Sequence, residues 1–177
     1  MNLADSFAGY ALLVLFALIG MCVGSFANVV CYRLPIIRKL GEFADGTKLK
    51  ELEDRHGKYT LCSPRSACPC CDSQISLLHL TPVAGWLLLR GKCRSCGNRI
   101  GWTYPGTELI FGLAFAGYIA IEGVSLAGLL TLPMMLIAFS LLIIRTNTGS
   151  LVKPLIYLYV ALLGLQILLS GFGYSAY

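Results

Sequence analysis

Nearly all the charge in this chain sits in one segment, flanked by long uncharged runs. From Ser6 to Tyr32 no residue is charged, and LLVLFALIGMCVG lies at the centre of the stretch. About 20 apolar residues suffice to cross the hydrocarbon core of a bilayer, so this run predicts a first transmembrane helix. Twelve of the 14 Lys and Arg residues then fall between Arg33 and Arg99, and only Arg145 and Lys153 lie beyond. With 56% hydrophobic and 13% charged residues over 177 positions, the chain cannot clothe a globular surface, which ordinarily takes about 25% charged residues. The same apolar excess excludes disorder. A net charge of +5 confined to one loop is no nucleic-acid signature, and no nucleic-acid partner is expected.

Three further spans follow. Pro105 can open a helix, with Glu108 in its first turn and an uncharged run from Leu109 to Ile121. Gly123 to Ile144 predicts a third span, kinked at Pro133, and Pro154 to Ser170 a fourth. The expected fold class is an α-helical integral membrane protein of about four transmembrane helices, with a small cytoplasmic domain inserted after the first. The corresponding boundaries are residues 1–32, 33–103 and 104–177. A cleaved signal peptide carries a positive n-region and a short apolar core. Here Asp5 is the only charge before Arg33, so an uncleaved anchor is expected. Basic residues favour the cytoplasmic side. With Arg33–Thr103 in the cytoplasm and four alternating spans, all 14 basic residues face one side, and Asp5 and Glu122 face the other. That arrangement places the N-terminus on the far side from the cytoplasm, with the lipid bilayer as the surroundings of the spans.

The 71 residues from Arg33 to Thr103 are few for an independent core, and domains of that size usually need a staple. Cys68 and Cys71 form one CxxC pair and Cys93 and Cys96 another, with 21 residues between them. Such spacing predicts a four-cysteine zinc site, each hairpin presenting two thiolates to one metal. The alternative is a pair of disulfides, which needs an oxidising compartment. Cys22 and Cys31 read as small apolar residues of the first span, and Cys62 and Cys70 as structural thiols. The stretch Asp45–Lys58 reads as a solvated helix or linker, with His56 exposed. The uncharged run Ile75–Leu89 is too short to span comfortably, so an interfacial or re-entrant piece is expected, with Trp86 and Trp102 in the aromatic belt. Gly20-xxx-Gly24, continued by Ser25 and Asn28, reads as a helix-packing stripe.

Four blocks carry a resemblance. Gly24-Ser25-Phe26-Ala27-Asn28-Val29-Val30-Cys31-Tyr32-Arg33-Leu34-Pro35 resembles the GSFLNVVIYRLP signature that opens bacterial prepilin peptidases. Pro64 to Cys71 is similar to their PRSxCPxC, Pro82 to Cys96 to their IPxxSWLxLRGRCRxC, and Tyr104 to Leu109 to their YPxxEL. The resemblance implies an inner-membrane enzyme that cleaves the leader of type IV prepilins and type II secretion pseudopilins, then methylates the new N-terminus from S-adenosylmethionine. It also implies a zinc-binding cytoplasmic domain and a later pair of catalytic aspartates, one in a D-x₅₋₇-PD stretch and one in GxGD. This sequence departs from that pattern. Its aspartates are Asp5, Asp45, Asp54 and Asp72 alone, and FSLLIIRTNTGS stands where the first catalytic Asp would fall. Gly171-Phe172-Gly173-Tyr174 has Tyr where GxGD has Asp. No catalytic residue is therefore assigned. GFGYSA matches a nucleotide-type glycine pattern but follows a membrane helix rather than a strand. Two expectations result. In the first, the chain is the substrate-handling, N-methylating half of a prepilin-processing enzyme, shortened relative to the family. In the second, it is a non-catalytic zinc-binding adaptor for prepilins or for a full-length peptidase.

Overall fold

The computed structural model describes residues 7–174, with side chains to Ser170; Asp5 lies outside the described residues. Among the described residues seven α-helices occur and no strand is longer than an isolated bridge. They are α1 (Phe7–Ile37), α2 (Thr47–His56), α3 (Ala84–Leu88), α4 (Thr103–Glu122), α5 (Leu126–Leu129), α6 (Thr131–Thr148) and α7 (Lys153–Tyr174), with 3₁₀ turns at Gly41–Phe43 and Leu77–Leu80. Four stretches are long and apolar enough to cross a membrane: α1, α4, the α5–α6 pair and α7. The protein is thus an α-helical membrane protein with a non-spanning segment between α1 and α4.

α1 is antiparallel to α4, and small residues set how closely they approach. A Cβ added to Gly20 would stand 2.6 Å from the Phe111 carbonyl oxygen, and one added to Gly24 would stand 2.9 Å from the Glu108 Cα. No side chain fits between these backbones. Such close approach is how helices gain van der Waals contact in lipid, where apolar burial gives no drive of its own. The Gly20-xxx-Gly24 stripe is therefore the α1–α4 contact. Further along, Phe16 meets Phe115 edge-on with ring centroids 5.5 Å apart, and Phe111 meets Phe139 of α6 at 5.3 Å. Val30, Leu34, Ile144 and Val152 make a second cluster at the other end of α1. Gly41, just past α1, abuts Thr148 at the end of α6. The Arg145–Lys153 connection therefore lies at the same end of the bundle as the segment following α1.

Two element boundaries differ from the sequence expectation. α1 continues five residues past Tyr32, to Ile37, with Pro35 inside its last turns; the helix closes soon after that proline, and the chain turns away at Lys39, whose φ is +53°. At about 1.5 Å per residue, its 31 residues reach about 46 Å, so α1 overshoots a bilayer core and carries Arg33 with it. The third span breaks at Leu130, ahead of Pro133 rather than at it. Pro133 is the third residue of α6, where the missing N–H would have had no helical partner. The break is closed by side chains: Ser125 Oγ accepts from Gly128 N at 2.9 Å, and Thr131 Oγ donates to Gly128 O at 2.6 Å. α7 lies along α5 and α6, and its Leu155 packs on the Val30 cluster, but no side chain between Lys153 and Ser170 is fully buried.

A candidate metal centre

The segment between α1 and α4 is built around two hairpins of the same design. In the first, Ala67 bridges Gln74, Cys68 N donates to Ser73 O at 3.0 Å, and Asp72 N donates to Cys68 O at 2.8 Å. In the second, Lys92 bridges Arg99, Cys93 N donates to Asn98 O at 2.8 Å, and Gly97 N donates to Cys93 O at 3.0 Å. Each turn needs one left-handed residue directly after its second cysteine. Gly97 supplies it at φ +70°, and Asp72 at φ +57°; Asp is one of the few side chains that tolerate this region. Each CxxC thereby presents both sulfurs on one side of its turn.

All four sulfurs of Cys68, Cys71, Cys93 and Cys96 lie within 4.8 Å of one another. Cys68 Sγ is 3.8 Å from Cys96 Sγ, and Cys71 Sγ is 3.9 Å from Cys93 Sγ. A tetrahedron with Zn–S arms of about 2.3 Å has edges of about 3.8 Å, so the donor set has the size and softness a zinc ion takes. All eight cysteines are free thiols, and Cys62 and Cys70 are exposed and outside the cluster. Amide groups of Cys96 and Ser95 lower the Cys93 thiol to about 6. The Cys71 thiol is lowered by the Ser73 hydroxyl and amide. For Cys96 the Asn98 amide lowers the pKa, but the neighbouring Cys71, burial, Cys93 and Cys68 outweigh it and push the thiol up to about 12.

Arg33 ties this centre to α1. The guanidinium donates to Thr60 O at 2.9 Å, Leu61 O at 3.4 Å and Pro64 O at 2.8 Å, and lies 5.3 Å from the centroid of the Tyr59 ring. Burial pushes the Tyr59 hydroxyl pKa up, against the pull of Arg33. A second tie comes from α4: Glu108, buried, accepts from Val83 N at 2.7 Å. Val83 holds φ +59°, a strained setting for a β-branched residue, which the carboxylate bond helps to hold. Between these ties lies a cavity of about 470 Å³, lined among others by Asn28, Arg33, Asp72, Trp86, Arg94 and Glu108. Its volume is that of a small-ligand or peptide-segment site.

Sequence reasoning grouped the four cysteines but missed both ties. Arg33 had a signal, a lone cation at the end of an uncharged run; Glu108 had one too, an acid in the first turns of a span. Each was read for membrane depth instead of for the loop it holds. His56, expected in solvent, is half-buried with Nε2 3.4 Å from Asp72 Oδ2. Trp86, expected in the aromatic belt, donates from Nε1 to Ile100 O at 3.0 Å and lies beneath Gly91. Trp102 remains exposed at the start of α4.

Residues 18–121 match the family model described as the bacterial peptidase A24 N-terminal domain. A prepilin leader peptidase/N-methyltransferase of Burkholderia pseudomallei (strain 1026b) is 39% identical over 147 residues, covering 78% of this chain and 48% of that protein. The protein of the same description from Dickeya chrysanthemi is 35% identical over 151 residues, 81% of this chain and 52% of its own length. That of Neisseria gonorrhoeae is 36% identical over 153 residues, 80% and 52% respectively. The chain therefore spans about half the length of the curated relatives it matches. No solved structure matches it.

Proposed function

Because the chain belongs to the bacterial A24 prepilin peptidase family through its N-terminal domain, we propose that it handles type IV prepilins or type II secretion pseudopilins at the inner membrane. Cys68, Cys71, Cys93 and Cys96 hold one structural zinc ion, which fixes the two hairpins against each other. The zinc-bearing segment, residues 33–103, faces the cytoplasm, between residues 1–32 and the membrane region 104–177. That orientation gathers all 14 basic residues on one side, and the shared end of α1 and α6 agrees with it. The observation that carries the reading is the cavity between the cysteine centre and the inner ends of α1 and α4. A substrate whose helix lies in the membrane and whose leader lies in the cytoplasm would cross that junction.

Peptide cleavage by an aspartyl pair needs two carboxylates sharing a proton. These 177 residues hold no aspartate after Asp72, so their part is to bind and present the prepilin, with the pair supplied from outside them. N-methyl transfer is the second activity the relatives' name carries, and S-adenosylmethionine is the methyl donor that the sequence resemblance implies. No strand leading into a glycine cradle occurs among the described residues, and no residue is assigned to that step. The alternative is a non-catalytic adaptor that engages prepilins or a full-length peptidase.

The test uses the full chain in nanodiscs with a synthetic prepilin segment spanning leader and first helix. Binding that weakens in Glu108→Gln or Arg94→Ala, with no leader loss by mass, is expected. Absence of binding to any prepilin would overturn the reading. A mass gain of one methyl group on the leaderless segment, given S-adenosylmethionine, would decide for the enzyme over the adaptor.

A further inference from the structure

Four leucines stand out from the cysteine-bearing segment: Leu77, Leu78, Leu87 and Leu88 are 73%, 63%, 61% and 61% exposed. They belong to two short helical pieces, Leu77–Leu80 and α3, which pack together where Gly85 meets the His79 backbone. A surface in water seldom gathers four large apolar side chains within twelve residues.

α4 sets their depth. Val83, between the two pieces, is bonded to Glu108, the sixth residue of α4. At about 1.5 Å per residue, the 20 residues of α4 span about 30 Å, the full thickness of a hydrocarbon core. If the level of Glu108 stood in water, only the 14 residues Leu109–Glu122 would remain to cross, about 21 Å. That is too short, so the level of Glu108 lies within the bilayer boundary, and the leucine pieces tied to it lie there too. Charge agrees with this placement. No acid occurs from Ser73 to Thr107, and Arg90, Lys92, Arg94 and Arg99, all exposed, follow directly behind the leucines. Trp102, 74% exposed, marks the same level at the start of α4.

We infer that Leu77, Leu78, Leu87 and Leu88 are seated in the headgroup–acyl boundary of an anionic bilayer, with Arg90 and Lys92 behind them on lipid phosphates. The metal-centre segment is then a membrane-docked platform, held at α4 by Glu108 and at the lipid by its leucines. Apolar side chains gain by entering that boundary, and each cation near an anionic surface adds to the hold.

A photoreactive benzophenone amino acid placed at Leu77 or Leu88 tests this in the full chain. The chain is reconstituted in nanodiscs of phosphatidylethanolamine and phosphatidylglycerol. Leu113, lipid-facing on α4, is the positive control, and Lys50, exposed on α2, the negative one. Irradiation should give phospholipid adducts at Leu77 and Leu88 at yields near that of Leu113 and roughly tenfold above Lys50. Yields at the Lys50 level, with Leu113 labelled normally, would overturn the inference. Adducts to a second protein copy in place of lipid would overturn it as well and assign the leucines to a protein contact. Exchanging phosphatidylglycerol for phosphatidylcholine should lower both yields several-fold, and unchanged yields would remove the headgroup half of the inference.

Discussion

In the membrane bundle, α1 and α4 touch backbone to backbone at Gly20 and Gly24, and Phe111, Phe115, Ile119 and Ala27 are buried almost completely. Between Arg38 and Trp102, Tyr59 and Cys68 are the only buried hydrophobic residues among those described. The first region coheres through shape, because lipid covers whatever the helices leave exposed. The second has water on much of its surface and almost no core, so it must draw its order from a few strong directional contacts. Disturbing each kind of contact separately is the way to break or sharpen the contrast.

The largest effect should come from the metal. Structural zinc contributes about 10–16 kcal/mol in small peptide sites, far above any other contact in the segment. Cys93→Ser, or a strong chelator, should open residues between α1 and α4 to protease while leaving α1 and α4 as protected fragments. A metal-free segment that still resists protease would abolish the distinction between the two regions. Next comes Arg33→Ala, which removes the charge-assisted bonds to Thr60, Leu61 and Pro64 and should cost about 3 kcal/mol. Metal release should then occur at lower temperature, with bundle unfolding little changed. Arg33→Lys should rescue only partly, since one ammonium cannot reproduce the planar fork.

Gly24→Ala should act on the other region. Its Cβ would stand 2.9 Å from the Glu108 Cα and the Phe111 Cβ, and overpacking of this kind costs about 1–3 kcal/mol. Unfolding of the detergent-solubilised bundle should come earlier, with metal content per chain unchanged. Equal loss of metal would mean that the regions fold as one. The smallest effect belongs to Glu51, whose bonds to Lys48 at 3.0 Å and Arg55 at 2.6 Å lie on the exposed face of α2. Lys48, then Arg55, holds its carboxyl below the usual range. Whatever it contributes is therefore present above the unfolded carboxylate pKa and is lost as pH falls through the folded one. Glu51→Gln should leave melting temperature at neutral pH within measurement error.

The contrast also explains what could be read in advance. Spans and paired cysteines are local patterns: a run without charge, or two thiols three positions apart. The sequence reading recovered the four spans and grouped Cys68, Cys71, Cys93 and Cys96 on that basis. It did not find that Arg33 grips carbonyls 27 to 31 residues away, that Glu108 meets Val83, or that His56 meets Asp72. Those contacts depend on how separate pieces come to rest, and backbone carbonyls and amides leave no mark in the sequence. The break before Pro133 was misplaced by three residues for a local reason: proline suits a first turn, so it marks where a helix starts.

The bond between Glu108 and Val83 also bears on the order of assembly. During synthesis, both hairpins and Val83 leave the ribosome ahead of α4. Glu108 then arrives as an acid in a span only 20 residues long, and it reaches its resting level without an unsatisfied carboxylate only if the Val83 amide is already presented. The second transmembrane helix and the segment before it are therefore completed together: the Val83 amide is made first, and the carboxylate that pairs with it arrives with the span.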